Sequence, residues 1–473
     1  MWELICKEAR KLYRNKINWI LVVGLIALTA FLSYKTYQSD HPYLGDYGNT
    51  IIEKDGSVLS QKELMRYSDE LAHHYAGTPK KKLISRIMKD YQTVLKEAEA
   101  SGIDEDAMRE AFGGEYLKTI KPAMEKGLSK EEYDSFNSEY GIEMTLEEDG
   151  RYYPILIYKD ECKRYIFENT FSINKEYVNN ASFWAESDNA ISIFAKDKKY
   201  TESENVFFES VLNHYEKVPQ ELKKAIHELY LNQDSKFDST VSNNMFLNTT
   251  GLINVFTLVV IGLMSANLFS ADSRHKVDQI IVSSPKGGKQ MVIARVICGV
   301  GTAIVVVGLQ WLILFAVNQI CLPIRDWSLT VMPMASNGYL ISGYLYTYLE
   351  VVLGMIGLSL MAGIITSLLA MAISYFTHHQ SVSIACITLF LLVPVIVPFG
   401  DIFKMNWMNY VLPSKLIETY QYFYFYYDRM PYFMMGDTLV SYQSIMMGLY
   451  AVIGLALVAA MAIYASKHRV KNR

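Results

Sequence analysis

Apolar runs long enough to cross a bilayer are spread unevenly along the chain, and that layout limits the fold more than any other feature. One run, residues 17–34, stands near the start. Five more, 251–270, 291–321, 345–375, 381–399 and 445–464, follow a long polar stretch. At 1.5 Å rise per residue the first run makes a helix of about 27 Å, close to the hydrocarbon thickness of a membrane. The runs at 291–321 and 345–375 are long enough to cross tilted or to protrude. The layout predicts an all-α polytopic membrane domain of six transmembrane helices. A domain of residues 35–250 is inserted between helices 1 and 2.

Orientation is expected to follow Lys and Arg, which are retained on the cytoplasmic face. Lys7, Arg10, Lys11, Arg14 and Lys16 precede the first run, and Arg274, Lys276, Lys286, Lys289 and Arg295 lie around the start of the third. Lys467, Arg469, Lys471 and Arg473 end the chain. Both termini are therefore expected in the cytoplasm, with 35–250 extracellular at the cell membrane. That segment holds 39 acidic against 27 basic residues, a split hidden by the whole-chain charge of −4. The first run exceeds the usual apolar core of a signal peptide and no small-residue cleavage site follows it, so it is read as a retained span.

Residues 1–16 read as an amphipathic interfacial helix on the cytoplasmic side. Trp2, Ile5, Ala9, Leu12 and Tyr13 recur at three- and four-residue steps, while Glu3, Lys7, Arg10, Lys11 and Arg14 fill the other face. The remaining division is a span at 17–34, a span at 251–270 and a cytoplasmic loop at 271–290. Helices 3 to 6 occupy 291–466 with outer loops 322–344 and 400–444, and 467–473 is a basic tail.

The inserted domain is expected to be mainly helical α+β. Asp55-Gly56 between short apolar runs signals a hairpin over 51–59, and Glu147-Glu148-Asp149-Gly150 signals a second between 142–146 and 151–158. Ser60 with Glu63 fits a capping box, and helical patterns follow at 81–99, 104–126, 130–140 and 203–231. Cys162 is alone among the five cysteines in this segment, so no disulfide framework holds it. At this length it can bury a core without one.

Chemistry is sparse. Adjacent His73 and His74 point about 100° apart on a helix and cannot act as an i, i+4 ligand pair. His227-Glu228 lacks the second histidine of a zinc-protease helix, because Leu231 stands at that step. Neither catalytic residues nor a metal site is expected. Gly287-Gly288-Lys289-Gln290 is not a phosphate loop: it lacks the earlier glycine at the required distance and the hydroxyl that would hold magnesium.

The loop between runs two and three carries more information. Asp272 or Ser273 is placed to cap a short helix, Val277, Ile280 and Ile281 give it one apolar face among Arg274, Lys276 and Asp278, and Ser284-Pro285-Lys286-Gly287-Gly288 ends it. An ordinary basic connection would supply the charges but not the amphipathic pattern. An amphipathic N-terminal helix, six runs and this loop together resemble the membrane subunits of bacterial ABC exporters of the ABC-2 type. In that family a cytosolic coupling helix between spans two and three precedes a Ser-Ser-Pro-like turn and a basic residue. Here the turn is Ser283 to Pro285 and the basic residues are Lys286, Lys289 and Arg295; Asp272 stands where members often carry Glu.

The resemblance implies that a separate ABC ATPase subunit, in two copies, docks on Asp272, Arg274, Lys276, Val277, Asp278, Ile280, Ile281, Ser284 and Pro285. It also implies a second permease copy or a related permease, besides membrane lipid. No cofactor belongs to this chain; ATP and Mg are expected on the ATPase. No nucleic-acid partner is expected. Candidates for a translocation path or gate are Glu350, Pro394 and Pro398, which should bend or end the fifth span, and Tyr422 and Tyr424 in the aromatic outer segment. Glu350 reads equally as a hydrogen-bonded acid at the interface, and the tyrosines as an aromatic belt. The expected function is the permease subunit of an ATP-driven exporter whose cargo is a peptide, another amphiphile or an ion. The alternative is a membrane sensor with an extracellular ligand-binding domain.

Overall fold

A computed structural model describes residues 1–39, 51–52, 58–59, 61–76, 81–100, 109, 113–140, 144–147, 149–154, 157–158, 164, 167, 220–222, 224–225, 241–274, 288–324, 326–328, 346–396, 411–417 and 432–471. The chain begins with α1 (Trp2–Arg14) and α2 (Lys16–Ser39). Strands β1 (Ile51–Ile52) and β2 (Val58–Leu59), then α3 (Gln61–His74) and α4 (Lys81–Ala100), open the inserted segment. A π-helical turn at Tyr116–Ile120, α5 (Lys121–Lys126), α6 (Lys130–Tyr140), β3 (Met144–Leu146), β4 (Tyr152–Pro154) and β5 (Ile157–Tyr158) complete its described part. The bundle follows: α7 (Val241–Arg274), α8 (Lys289–Cys321), α9 (Tyr348–Thr377), α10 (Gln380–Ile396), the short α11 (Pro413–Leu416), the hairpin β6 (Tyr432–Met435) and β7 (Thr438–Ser441), and α12 (Tyr442–Lys471).

Among the described residues, five helices are long and apolar enough to cross a membrane: Lys16–Tyr37, Thr249–Ser270, Lys289–Cys321, Tyr348–Thr377 and Tyr442–Ser466. This is the architecture of an all-α multi-pass membrane protein. The expected fifth crossing falls on α10, apolar and described over 17 residues. Pro394 lies buried inside it, two residues before its described end.

Helix α7 is the most enclosed of the long helices and packs between α9, α10, α2 and α8. Its closest approaches occur where side chains are missing. A Cβ on Gly262 would meet Ile387 Cγ2 at 2.5 Å, and one on Gly363 of α9 would meet Ile261 Cδ1 at 3.1 Å and Val307 Cγ2 at 3.3 Å. Small residues let helix backbones approach where burial of apolar surface from water gives no drive, as inside lipid. Hydroxyls then bridge the narrow gaps. Ser265 Oγ and Ser367 Oγ are 2.8 Å apart, Ser374 Oγ donates to the Ala266 carbonyl at 2.8 Å, and Ser383 Oγ donates to the Ala370 carbonyl at 2.7 Å.

Both expected hairpins of the inserted segment form. Ile51 pairs with Leu59 antiparallel, with β5 alongside β1 in parallel, and Met144 pairs with Pro154. Ser129 and Glu132 cap α6 reciprocally, and the bonds from the Ser129 N–H and hydroxyl hold the Glu132 carboxyl below its ordinary range. Of the helix expected over 104–126, the described residues show helical backbone at 109 and without a break over 114–126, with a π turn at Tyr116–Ile120 leading into α5. Pro122, in the first turn of α5, has no N–H to bond back, and it follows directly on the π turn, where the regular helical ladder is already offset.

Candidate functional site

The first helix presents Ile5, Ala9 and Leu12 to the bundle, and Glu8 falls on the same face. A carboxylate inside an apolar stripe is expensive unless it is paired. Glu8 is 3% exposed and meets Arg295, 5% exposed, in the second turn of α8: Nε lies 3.2 Å from Glu8 Oε2. The partly exposed Lys11, one turn along α1, donates to the other carboxylate oxygen at 2.8 Å. The guanidinium carbon of Arg295 sits 5.0 Å from the ring centroid of Phe269, near the end of α7, a cation–π contact in a low-dielectric setting. One turn farther, the Cys298 thiol donates to the Ile5 carbonyl at 3.4 Å. Trp2 and Tyr13, part of the expected stripe, stay exposed.

The junction of α1 with α2 is equally specified. Asn15 leaves the helical region at φ −74°, ψ 114°, and its side chain accepts from the Ile17 N–H at 3.0 Å. Asn18, 2% exposed, donates to the Leu12 carbonyl at 2.8 Å, and Trp19 Nε1 donates to the Tyr13 carbonyl at 2.6 Å. These bonds satisfy carbonyls that the end of α1 would otherwise leave open. Helix α1, the end of α7 and the start of α8 are thereby joined into one unit. The loop of residues 275–287 connects the last two of them.

Of the residues expected to dock an ATPase, Asp272 and Arg274 lie in the last turn of α7, which runs on through Arg274 instead of ending before a separately capped helix. Lys276, Val277, Asp278, Ile280, Ile281, Ser284 and Pro285 lie outside the described residues, as do Pro398, Tyr422 and Tyr424 among the gate candidates. Glu350 starts α9 in a capping box: its Oε2 accepts from Thr347 N at 2.8 Å and from Thr347 Oγ1 at 3.0 Å, while its own N–H donates to Thr347 Oγ1 at 3.3 Å. The carboxylate is thus engaged in starting the helix. The gate candidates Glu350 and Pro394 lie on different helices, α9 and α10, and neither belongs to the clasp formed by Glu8, Lys11 and Arg295.

Patterning does not single out Glu8 as a site, and it marks Arg295 only as one of the basic residues before the third span. The signal existed: an acid on the stripe of Ile5, Ala9 and Leu12, and an arginine within the apolar run beginning at Met291. Ionisable residues inside a span face the protein interior and pair with one another. Among the described residues, no group of His, Cys, Asp and Glu is placed to hold a metal ion. No family model, curated protein or solved structure matches the chain.

Proposed function

We propose that this chain is the membrane-spanning subunit of an ATP-driven exporter similar to the ABC-2 type, taking its energy from a separate ATPase that docks on the loop between α7 and α8. The observation that supports this most is the buried Glu8–Arg295 pair, which ties α1 to the two helices that the loop connects. A push or pull on residues 275–287 reaches α7 and α8 directly, and through Arg295 it reaches α1 as well. Such a unit suits the receipt of mechanical work from a soluble partner. In this reading both termini are cytoplasmic, the inserted segment is extracellular, α10 with the residues after it forms the sixth crossing, and two copies or related permeases meet two ATPases. The cargo is a peptide, another amphiphile or an ion.

The test is co-expression with a phosphate-loop ATPase encoded beside it, followed by purification in detergent. A stable complex with ATPase activity is expected, and it should be lost when Val277→Asp and Ile280→Asp are combined. Intact association after both changes would remove the docking claim. Absence of any ATPase partner, with a signalling protein recovered instead, would favour the sensor reading.

A further inference from the structure

Three polar side chains of the bundle are buried with polar atoms left unpaired. Asn254 of α7, Gln310 of α8 and Ser359 of α9 are 2%, 1% and 3% exposed. Asn254 Oδ1, both amide atoms of Gln310 and Ser359 Oγ have no hydrogen-bond partner. The Asn254 amide nitrogen reaches only the Ile417 carbonyl, at 3.5 Å.

Helix register brings the three together. A Cβ on Gly363 would touch Ile261 of α7 and Val307 and Ala303 of α8, the last at 3.7 Å, so these four residues mark one level of the bundle. A step of seven residues returns to nearly the same helix face, and a step of four stays close to it. Seven residues back from Ile261 is Asn254, seven on from Ala303 is Gln310, and four back from Gly363 is Ser359. All three steps lead away from the end that carries Glu8 and Arg295. Register therefore places the three residues toward the faces shared by α7, α8 and α9, within about one helical turn of each other along the bundle.

The chemistry of this level is neutral. No Asp, Glu, Lys or Arg lies near it on these helices: Arg295 is four turns away along α8, and Glu350 is bonded to Thr347 at the start of α9. The level is closed on the side away from the clasp by rings in sequence. Phe246 lies 6.0 Å from Trp311 and 5.5 Å from Phe315, Phe315 stacks on Trp327 at 5.3 Å, and Trp327 lies 5.3 Å from Tyr348. Among the described residues of these three helices an ion would meet no charged side chain, and Lys415 of α11, two residues before Ile417, is a basic residue on a neighbouring element. Water fits this chemistry, since a buried water needs two to four polar partners and this level offers four unpaired atoms, both donors and acceptors.

We propose that Asn254, Gln310 and Ser359 form a water-binding site inside the span bundle, bridging α7, α8 and α9. The bonds between these helices at that level run through water, whereas about two to three turns toward the clasp they are direct, as at Ser265 and Ser367. Water-bridged groups can exchange partners as helices slide, so the site is a polar joint in the bundle. The inference rests on the packing of the spans and not on the exporter reading.

Radiolytic hydroxyl labelling of the full chain in nanodiscs, with exchange into oxygen-18 water, tests it. Met355 is one turn from Ser359 on the same face and 2% exposed; Met461 of α12, 0% exposed, is the dry control. Met355 is expected to oxidise several-fold faster than Met461 and to exchange its oxygen source slowly. In a variant carrying Gln310→Leu and Ser359→Ala its rate should fall to that of Met461. Equal rates for the two methionines in the unaltered chain would overturn the proposal without need of the variant. A Met355 rate unchanged in a folded variant would overturn it as well.

Discussion

The two ends of the helix bundle differ in how much of their buried polarity is paired directly, although Asn18 Oδ1 is unpaired at the first and the Tyr450 hydroxyl donates to the Val411 carbonyl at 2.6 Å at the second. At the end holding the amino terminus, Glu8, Lys11, Arg295, Cys298, Ser374 and Ser383 make direct bonds to named partners. Toward the other end, Asn254 Oδ1, Gln310, Trp311 Nε1, Tyr348 OH, Ser359, Ser414 and Gln443 Oε1 are buried without partners. Direct bonds between helices fix their relative position, because a buried group that loses its partner is left with the full cost of desolvation. Groups that bond through mobile water carry no such penalty for movement. The contrast separates a stiff end, next to the loop proposed to receive force, from an end with freedom to rearrange.

Breaking the clasp should give the largest effect. Glu8→Ala leaves Arg295 buried and uncompensated, and loss of one partner of such a pair costs about 3–5 kcal/mol. Thermal unfolding in nanodiscs should fall accordingly, and cysteine-accessibility labelling at Cys298 should rise as α1 detaches. Combining Glu8→Met with Arg295→Met should recover most of the stability while still abolishing any transport that depends on the tether. A loss confined to stability would show that the pair only holds the fold. At the opposite end, Thr347→Ala removes the side-chain half of the cap on α9, leaving the Thr347 N–H bonded to Glu350, and should cost about 1 kcal/mol, with hydrogen exchange faster in the first turn of that helix alone. Exchange spreading down to Ser367 would mean that the two ends are not mechanically separate. The smallest effect is expected between them. A double-mutant cycle on Ser265→Ala and Ser367→Ala should give a coupling of about 0.6 kcal/mol, in line with hydroxyl pairs inside membranes. A coupling near zero would extend the loose region inward past that level.

Sequence patterning reached the elements and stopped short of the contacts. The turn chemistry of Asp55-Gly56 and of Glu147 to Gly150 placed both hairpins because the cause is local, within a few residues of the effect. The helices at Lys81–Ala100 and Lys130–Tyr140 follow from periodicity in the same way. The helix expected from periodicity over 104–126 runs unbroken over 114–126 among the described residues, with Pro122 carried just after a π turn. The clasp was not legible because its members lie on different elements and each has a plain reading alone. Glu8 passes for one more charge on a surface helix, and Arg295 for one more cytoplasmic basic residue. Glu350 shows the reverse case. Its Thr347 partner three residues earlier is a capping signature visible in sequence, yet an acid near a span end draws attention first as a gate.

The two halves of the clasp are 287 residues apart in the chain. At roughly 5–20 residues per second of synthesis, Glu8 leaves the ribosome some 15 to 60 s before Arg295 exists. Through that interval the carboxylate has only Lys11 beside it, and the apolar face of α1 has no α8 to rest against. Helix α1 is therefore seated only after α8 has been made, and its docking reports that the chain has been built at least that far.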